Sequence, residues 1–310
     1  MISQQAKGKS ISRTRSNRAI RESFLSLLCL FATLVSVLTT VGIVVALAYE
    51  TIQFFTHVSF REFVTAKEWT PNFQNPQYGI WALLNGTLMI ALGASLIALP
   101  AGLAIAIYLS EYAKPGVKAL IKPALELLAG IPTVVYGYFG LAVVTPFLKS
   151  INPAFETYNA LSGAVVVGIM ILPLVASLSE DALSNVPSRL REAAYGLGAT
   201  KAEVSTTVLL KAGSSGIVAS FILAISRAIG ETMAVTLAAG QNPTVAFDFS
   251  RAIGTMTAYI VSVSSGDVPR SGPRYESLFA VGMTLFLITL ASNIASQAIV
   301  RRIRKHDVGQ

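Results

Sequence analysis

Long stretches without charged residues are the feature that most constrains how this chain can fold. Such runs cover residues 23–49, 69–110 with the apolar part starting near 80, 127–148, 157–179 and 277–300. A sixth run, residues 212–247, is interrupted only by Arg227 and Glu231. A helix of about 20 residues crosses the hydrocarbon core of a bilayer. The sequence therefore predicts an all-α, polytopic membrane protein with six transmembrane helices.

The composition agrees with this class and excludes several others. Hydrophobic residues make up 53% of the 310 and charged residues only 13%, which is typical of a membrane protein. The single cysteine, Cys29, cannot form an internal disulfide, and two distant histidines do not suggest a metal centre. The excess of basic residues lies in short clusters beside the apolar runs, so we do not expect nucleic acid as a partner.

The distribution of basic residues predicts the orientation in the membrane. With the amino terminus inside, the inner segments carry 17 lysines and arginines and the outer segments carry 6. The positive-inside rule then places both termini in the cytoplasm. We expect basic tails at residues 1–21 and 301–310, flanking a transmembrane domain at 22–300. The first apolar run is too long for a secretory signal and is predicted to be an uncleaved anchor.

Two outer segments, at about 50–79 and 241–275, are long and contain aromatic residues and prolines. Trp69, Phe73, Tyr78 and Trp81 could form an aromatic belt at the membrane interface. They could equally form a docking surface, and the sequence does not separate these two interpretations.

The polar loop at residues 180–211 has the pattern of two short helices joined by a glycine turn. The first helix follows Pro187 and is expected to end at Gly196 and Gly198. Thr200 and Glu203 have the spacing of a capping box. A second helix should therefore begin at Lys201.

This loop resembles the EAA loop of ABC-importer permeases, in the run Glu192-Ala193-Ala194, three residues, Gly198, then nine residues to Val208 and Leu210. The family inserts that loop into a groove of its ATPase. Lys211 stands where the family usually has proline. A charged rim formed by Arg189, Arg191 and Glu192 would pair across the contact. The resemblance thus implies a coupling site, at Arg191, Glu192, Ala193, Ala194 and Gly198.

Arg227 and Glu231 need a reason to lie in a predicted span, because each charge costs about 2.5–3.5 kcal/mol at mid-bilayer. Four residues apart on one helix, they would share a face with small residues, opposite a bulky stripe that includes Ile225 and Met233. Two interpretations stay open, a structural ion pair and a place on a substrate or gating pathway. A guanidinium is well suited to bind phosphate.

The third apolar run is expected to contain a broken helix. Gly130 and Pro132 interrupt it, and the break would release backbone groups that need partners inside the membrane. Thr133, Tyr136 and Tyr138 follow the break. Their hydroxyls could bind an anion or could satisfy the released backbone groups.

Two longer motifs are more specific than the loop. The stretches SRAIGETMAVT at 226–236 and LLAGIPTVVYGYFGL at 127–141 look like the permeases of the high-affinity phosphate (Pst) system, and the GETMAV wording is similar to the PstC type. This resemblance implies the type I ABC-importer permease fold and a non-catalytic subunit of an ATP-driven importer of inorganic phosphate in the bacterial inner membrane. It carries the translocation role of the family onto Arg227 and Glu231. Thr133 and Tyr136 complete the predicted substrate pathway.

The resemblance also implies the partners: a second, PstA-type permease, a cytoplasmic PstB-type ATPase dimer and a periplasmic PstS-type phosphate-binding protein. ATP and Mg belong to the ATPase, and we expect this chain to bind no cofactor. Its nearest match to a phosphate-binding loop, Gly8-Lys9-Ser10, lacks the first glycine and a preceding strand. The alternatives are a permease for another oxyanion, sulfate- or molybdate-like, an ion-coupled secondary carrier, and a receptor or scaffold without transport.

Overall fold

The computed structural model describes the backbone of residues 2–266, 269 and 271–308, and the side chains of 22–266, 269 and 271–302. Within this part of the chain there are fourteen α-helices and no strand, with one isolated bridge between Trp69 and Tyr78. The prediction of an all-α fold is confirmed. The side chains of the basic tails lie outside the described residues, except those of Arg301 and Arg302.

Five segments within the described residues are long and apolar enough to cross a membrane. They are residues Glu22–His57 of α1 (Ile2–His57), α3 (Trp81–Ile107) with a π-helical extension at Tyr108–Tyr112, the segment Thr133–Ile151, α7 (Ala160–Ser184) and residues Pro273–Arg302 of α14 (Pro273–Val308). Two shorter helices lie between them, α2 (Phe60–Thr65) and the amphipathic α4 (Pro115–Ala129).

The fifth predicted span is not one continuous helix. The segment Lys201–Ala212 bends by 73° into α11 (Ser214–Ile229), and a sixth span exists only if this pair is counted as one. Residues 230–232 then leave the helix, and α12 (Met233–Ala239) follows. Gly240, at φ 89°, ends α12. Because glycines release the backbone at each of these points, the single face predicted for residues 220–238 does not exist.

The predicted break in the third run is confirmed. Helix α4 ends at Ala129, the backbone leaves the helix at residues 130–132, and α5 (Thr133–Phe139) begins directly after Pro132. A π-helical stretch, Gly140–Val144, connects α5 to α6 (Thr145–Ile151). The span of this region is therefore Thr133–Ile151, and the first residues of the predicted run belong to α4.

Helices α3 and α7 form the central pair of the fold, and glycines let them approach closely. A methyl group added at Gly102 would lie 2.7 Å from the Val175 side chain, and one at Gly93 would lie 2.8 Å from the Ala164 side chain. Small residues are the usual means of close packing between helices in membranes. This contact leaves α3 and α7 little freedom to move relative to each other.

Helices α11 and α12 pack on this pair and on α5. Ser179 of α7 and Ser220 of α11 share a buried hydrogen bond of 2.7 Å, and a methyl group at Gly216 would meet the Ala182 side chain at 2.5 Å. On the other side of the break, Gly137 of α5 lies against Ala234 of α12, where an added methyl group would be 3.0 Å from the Ala234 backbone. The two broken regions are therefore held together.

The first helix packs against the last. Leu47 of α1 lies against Gly282 of α14, 3.3 Å from where a methyl group would stand, and His57 Nδ1 lies 3.1 Å from Glu276 Oε2 at the ends of the same two helices. The apolar residues of α1 are largely exposed: none of its most apolar 18-residue stretch is buried within this chain.

Two aromatic residues of the first outer segment lie in the core and not at an interface. Trp69 and Tyr78 are 2% and 4% exposed, in a cluster of edge-to-face rings with Phe54, Phe63 and Tyr259. Burial raises the pKa of Tyr78 to about 12. Both interpretations of the sequence, belt and docking surface, are wrong for these two residues.

The second outer segment contains a helix that the sequence analysis missed. Helix α13 (Met256–Ser265) begins after Thr255, whose side chain accepts a hydrogen bond from the Ala258 N–H. Thr87 Oγ1 of α3 accepts a hydrogen bond from the Met256 N–H. Threonine at an N-cap is a recognised start signal, so the information was present locally. The apolar pattern places this segment outside the membrane and does not by itself predict a helix there.

Gly86→Ala tests the close packing of α3. The added methyl group would collide with the backbone carbonyl of Gly254, and overpacking of this kind costs about 1–3 kcal/mol. We expect a lower midpoint of thermal unfolding for the detergent-solubilised protein, measured by tryptophan fluorescence. Gly42→Ala on α1 is the control, because nothing lies within 4 Å of its added methyl group. Equal midpoints for both variants would contradict this packing.

Candidate functional site

Arg227 lies in the last turn of α11, with its side chain exposed in the isolated chain. Among the described residues, its guanidinium forms no hydrogen bond and no ion pair; its interaction is electrostatic, with the hydroxyl of Tyr136 on α5. A permanent cation thus stands at the end of a broken helix without a protein partner for its five donors.

Glu231 lies in the break after α11 and is 9% exposed. Its Oε1 accepts a hydrogen bond of 3.2 Å from the Ala234 N–H at the start of α12, as an N-terminal cap does. Its backbone carbonyl accepts a 2.7 Å bond from Thr257 Oγ1. No nitrogen of Arg227 lies within 4.0 Å of a Glu231 carboxylate oxygen in this described region. The ion pair considered from the sequence is absent from this structure.

The Tyr136 side chain forms a hydrogen bond across the helix break before α5. Its hydroxyl donates a 2.7 Å hydrogen bond to the carbonyl of Leu128 near the end of α4, which also accepts a 3.2 Å bond from the Ile131 N–H. Thr133 begins α5 and is half-buried, while Tyr138 is 67% exposed. The structure therefore brings Arg227 and Tyr136 together at two adjoining helix breaks, with Glu231 in one of them and Thr133 at the end of the other.

The predicted helix–turn–helix of the loop is confirmed. It consists of α8 (Ser188–Gly196), a turn at Gly198 with φ 82°, and α9 (Lys201–Glu203), which continues through a π-helical stretch, Val204–Leu209, into α10 (Leu210–Ala212). The capping box is complete: the Thr200 N–H donates to Glu203 Oε2 at 2.7 Å and the Glu203 N–H donates to Thr200 Oγ1 at 3.3 Å. These bonds hold the pKa of Glu203 below its usual value.

Helix α8 presents an apolar surface that its own chain does not cover. No residue of α8 is buried, and Leu190, Tyr195 and the following Leu197 are 44%, 42% and 90% exposed. Glu192 and Ala193 are also exposed, whereas Ala194 packs partly against a cluster formed with α7 and α11. Exposed apolar faces of this kind are typical of contacts with another protein or with a membrane.

Arg191 does not lie on the charged rim expected from the sequence. Its Nε donates to Glu111 Oε1 at 3.0 Å, and Nη1 and Nη2 donate to the carbonyls of Val186 and Leu183, each at 2.8 Å. The prediction of an outward Arg191 is wrong for this structure because the carbonyls at the end of α7 and the buried Glu111 both need donors. Arg189 and Glu192 are exposed, as expected.

A second ion-pair cluster joins α4 to α7 and was missed from the sequence. Glu180 is fully buried and pairs with Lys118 at 2.5 Å and with Lys122, while Ser184 Oγ donates to it at 2.7 Å. The hydrogen bond with Glu180 raises the pKa of Lys122. In the sequence, the two lysines, four apart on one helix face, indicate only the orientation of the chain in the membrane.

A cavity of about 1380 Å³ lies between α3 and the loop after α12. Apolar side chains such as Leu88, Leu92 and Phe247 line it. Asn85 holds the loop with a 2.9 Å hydrogen bond to the Ala246 carbonyl. In the described part of the chain, no three His, Cys, Asp or Glu side chains are grouped to hold a metal ion.

Comparison with known proteins assigns the family. Residues 98–305 match the model of the family described as binding-protein-dependent transport system inner membrane component. The chain is 35% identical over 261 residues to the phosphate transport system permease protein PstC of Mesorhizobium japonicum, covering 78% of each chain. The chain belongs to this family of permeases, in its PstC group. It is also 32% identical to the probable ABC transporter permease protein YqgH of Bacillus subtilis, over 89% of this chain and 90% of that one.

Solved structures agree on the fold of this permease. A bacterial alginate ABC transporter, in complex with its alginate pentasaccharide-bound periplasmic protein, matches 92% of this chain and 97% of its own at a TM-score of 0.64 and 19% identity. The MetNI methionine ABC transporter, in an inward-facing conformation, matches 73% of this chain and 94% of its own at 0.54 and 18%. These likenesses confirm the predicted type I ABC-importer permease fold.

Tyr136→Phe tests whether the hydroxyl serves the helix break. Removing it takes the shorter of two hydrogen bonds from the Leu128 carbonyl and leaves the 3.2 Å bond from the Ile131 N–H, a loss of about 0.5–1.5 kcal/mol. We expect a lower thermal midpoint for the solubilised permease, with Tyr138→Phe as the control because Tyr138 is exposed. If Tyr136→Phe unfolds at the wild-type temperature, the hydroxyl has no structural role and its contribution must lie elsewhere.

Proposed function

We propose that this permease is the PstC-type subunit of an ATP-driven importer of inorganic phosphate in the bacterial inner membrane, with both termini cytoplasmic. The names of its PstC relatives support phosphate as the substrate. The observation that carries the proposal is the guanidinium of Arg227, which stands at a helix break without a hydrogen-bond partner in the described chain.

The position of Arg227 is costly unless a ligand or water meets it. An arginine in a span costs about 2.5–3.5 kcal/mol, and no described carboxylate lies close enough to form an ion pair with it. The side chain is exposed on the isolated subunit, so in the complete importer it faces lipid, water or the second permease. A hydrated path between two permeases satisfies the charge and leaves its donors free for an oxyanion.

The two breaks suit a pathway that opens and closes. Residues 130–132 and 230–232 interrupt helices at adjoining places, and irregular backbone is tolerated at membrane depth where it lines a cavity. Glu231 and Tyr136 hold the free ends of these breaks through hydrogen bonds. We infer that they keep the geometry around Arg227, while Arg227 itself meets the phosphate. Thr133, at the start of α5, lies at the edge of this site.

The exposed face of α8 is the proposed contact with the ATPase. Its exposed Ala193, Leu190 and Tyr195 suit a hydrophobic groove, and Glu192 stands at the rim. Gly198 permits the sharp return to α9. ATP and Mg bind to the ATPase dimer, which hydrolyses the ATP. The resulting movement of the ATPase reaches this subunit through α8.

The remaining partners follow from the family. A PstA-type permease would form the other half of the path, a PstB-type dimer would supply the energy, and a PstS-type protein would deliver phosphate from outside. The alginate transporter that shares this fold carries a bound periplasmic protein, which supports delivery of this kind.

Arg227→Gln tests the pathway role. In proteoliposomes that hold the complete importer, we expect phosphate uptake to fall about 10- to 100-fold, because charged hydrogen bonds contribute about 1.5–3 kcal/mol. Lys149→Gln is the control, since Lys149 is another basic residue whose amino group contacts Thr157 away from the breaks. Sulfate and molybdate are offered as competitors.

Uptake at the wild-type level by an assembled Arg227→Gln importer would exclude the pathway role. Inhibition of wild-type uptake by sulfate or molybdate as strong as by unlabelled phosphate would assign the importer to another oxyanion.

Gly198→Ala tests the contact with the ATPase. The left-handed conformation of residue 198 costs a non-glycine residue about 1–2 kcal/mol, so the turn will shift and ATPase co-purification should fall about tenfold. Gly196→Ala is the matched control, since nothing lies within 4 Å of either added methyl group and Gly196 has no positive φ. Equal ATPase recovery with both variants would contradict the proposed contact.

A further inference from the structure

We propose that Arg191 and Glu111 form a joint that transmits movement of α8 to the central pair of helices, α3 and α7. In this inference, which rests on the proposed function, Arg191 is a positioning residue that does not contact the ATPase. Glu111, 80 residues earlier in the chain, is its partner in the joint.

The first step is the isolation of α8. None of its residues is buried; it lies against the π-helical stretch Val204–Leu209 of the same loop, and Ala194 packs partly against the cluster formed with α7 and α11. Among its described side chains, only that of Arg191 forms hydrogen bonds with other elements. A force applied to α8 by a moving ATPase therefore reaches the spans through the loop itself and through this guanidinium.

The second step is the connection to α3. Glu111 lies in the π-helical extension Tyr108–Tyr112 at the end of α3 and is only 7% exposed. A carboxylate so deeply buried needs its charge compensated, and Arg191 Nε lies 3.0 Å from Oε1. Lys201, from the start of α9, lies 5.1 Å from the centre of the neighbouring Tyr112 ring. Arg191 from α8 and Lys201 from α9 therefore both contact the extension Tyr108–Tyr112 of α3.

The third step is the connection to α7. The other two nitrogens of Arg191 hold the carbonyls of Leu183, in the last turn of α7, and of Val186, just beyond its end. The Leu183 carbonyl also accepts a 3.2 Å bond from the Val186 N–H, so Arg191 adds a second donor to it, and a cation at a helix end interacts favourably with the helix dipole. One planar guanidinium therefore ties α8 to the ends of two spans at the same time.

The last step is the route from the joint to Arg227. Close packing at Gly93 and Gly102 makes α3 and α7 move together, and α7 in turn holds α11 through Ser179 and Ser220. Arg227 is in the last turn of α11. The route is a continuous chain of packed or hydrogen-bonded groups, the physical requirement for coupling between distant sites.

The planar guanidinium holds its N–H donors in a fixed, forked arrangement, and this makes the joint specific to arginine. Lysine keeps the charge and can pair with Glu111, but its single ammonium cannot hold a carboxylate and two separate carbonyls in one plane. Arg191→Lys should therefore weaken the transmission without removing the charge of α8. Glu111→Gln keeps both carbonyl bonds and should have a smaller effect.

The experiment measures phosphate transported per ATP hydrolysed, with the complete importer in proteoliposomes. We expect Arg191→Lys to lower this ratio about tenfold, Glu111→Gln to lower it less, and Arg302→Lys to leave it unchanged. Arg302 is the matched control, because it is an exposed arginine of α14 outside the 180–211 loop. Co-purification of the ATPase and basal ATP hydrolysis should stay at wild-type levels in all three variants.

The ratio is taken per assembled complex, so a variant that merely folds less well lowers the yield and leaves the ratio unchanged. A wild-type ratio for assembled Arg191→Lys and Glu111→Gln complexes would overturn the joint. Loss of the ATPase from the Arg191→Lys complex would also overturn it, since Arg191 would then serve docking. If the wild-type importer itself moves no phosphate, the proposed function fails, and this outcome is distinct from both.

Discussion

The structure depends on satisfying backbone groups where helices are broken at membrane depth. Every amide and carbonyl released there must find a partner inside the protein, because lipid offers none. The chain supplies these partners from side chains close to each break: Tyr136 donates to the carbonyl of Leu128 before α5, and the Glu231 carboxylate accepts from the Ala234 amide of α12. Arg227 lies in the last turn of α11, directly before the second of these breaks.

Local signals in the sequence predicted local structure well. The capping box at Thr200, the turn at Gly198 and the break at Pro132 each depend on residues within a few positions, and all three are confirmed. The break at residue 230 was missed because the apolar pattern continues through it. The ion-pair partners of Arg191 and Glu180 were not predicted because they lie 80 and 62 residues away, and hydropathy carries no information on which distant charges will meet.

Charged residues have different tasks at different depths of this molecule. Where α3, α4 and α7 end near α8, buried carboxylates are each neutralised, Glu111 by Arg191 and Glu180 by two lysines. These pairs fix helix ends relative to one another, a use of buried charge that favours one arrangement over alternatives. Arg227 is the contrast, since among the described residues its guanidinium has no hydrogen-bond or ion-pair partner. In the function proposed above, the paired charges fix the helix ends and Arg227 meets the phosphate.

The pairing of α1 with α14 has a consequence for biogenesis. The first span touches little else, and the most apolar part of its surface is uncovered by the rest of the chain. During synthesis it enters the bilayer long before its neighbour α14 is translated, so it must persist there alone, held by hydrophobicity only. Helices in lipid can do this, because insertion and association are separate stages. The closing contact of His57 with Glu276 can form only after the start of α14 has been synthesised.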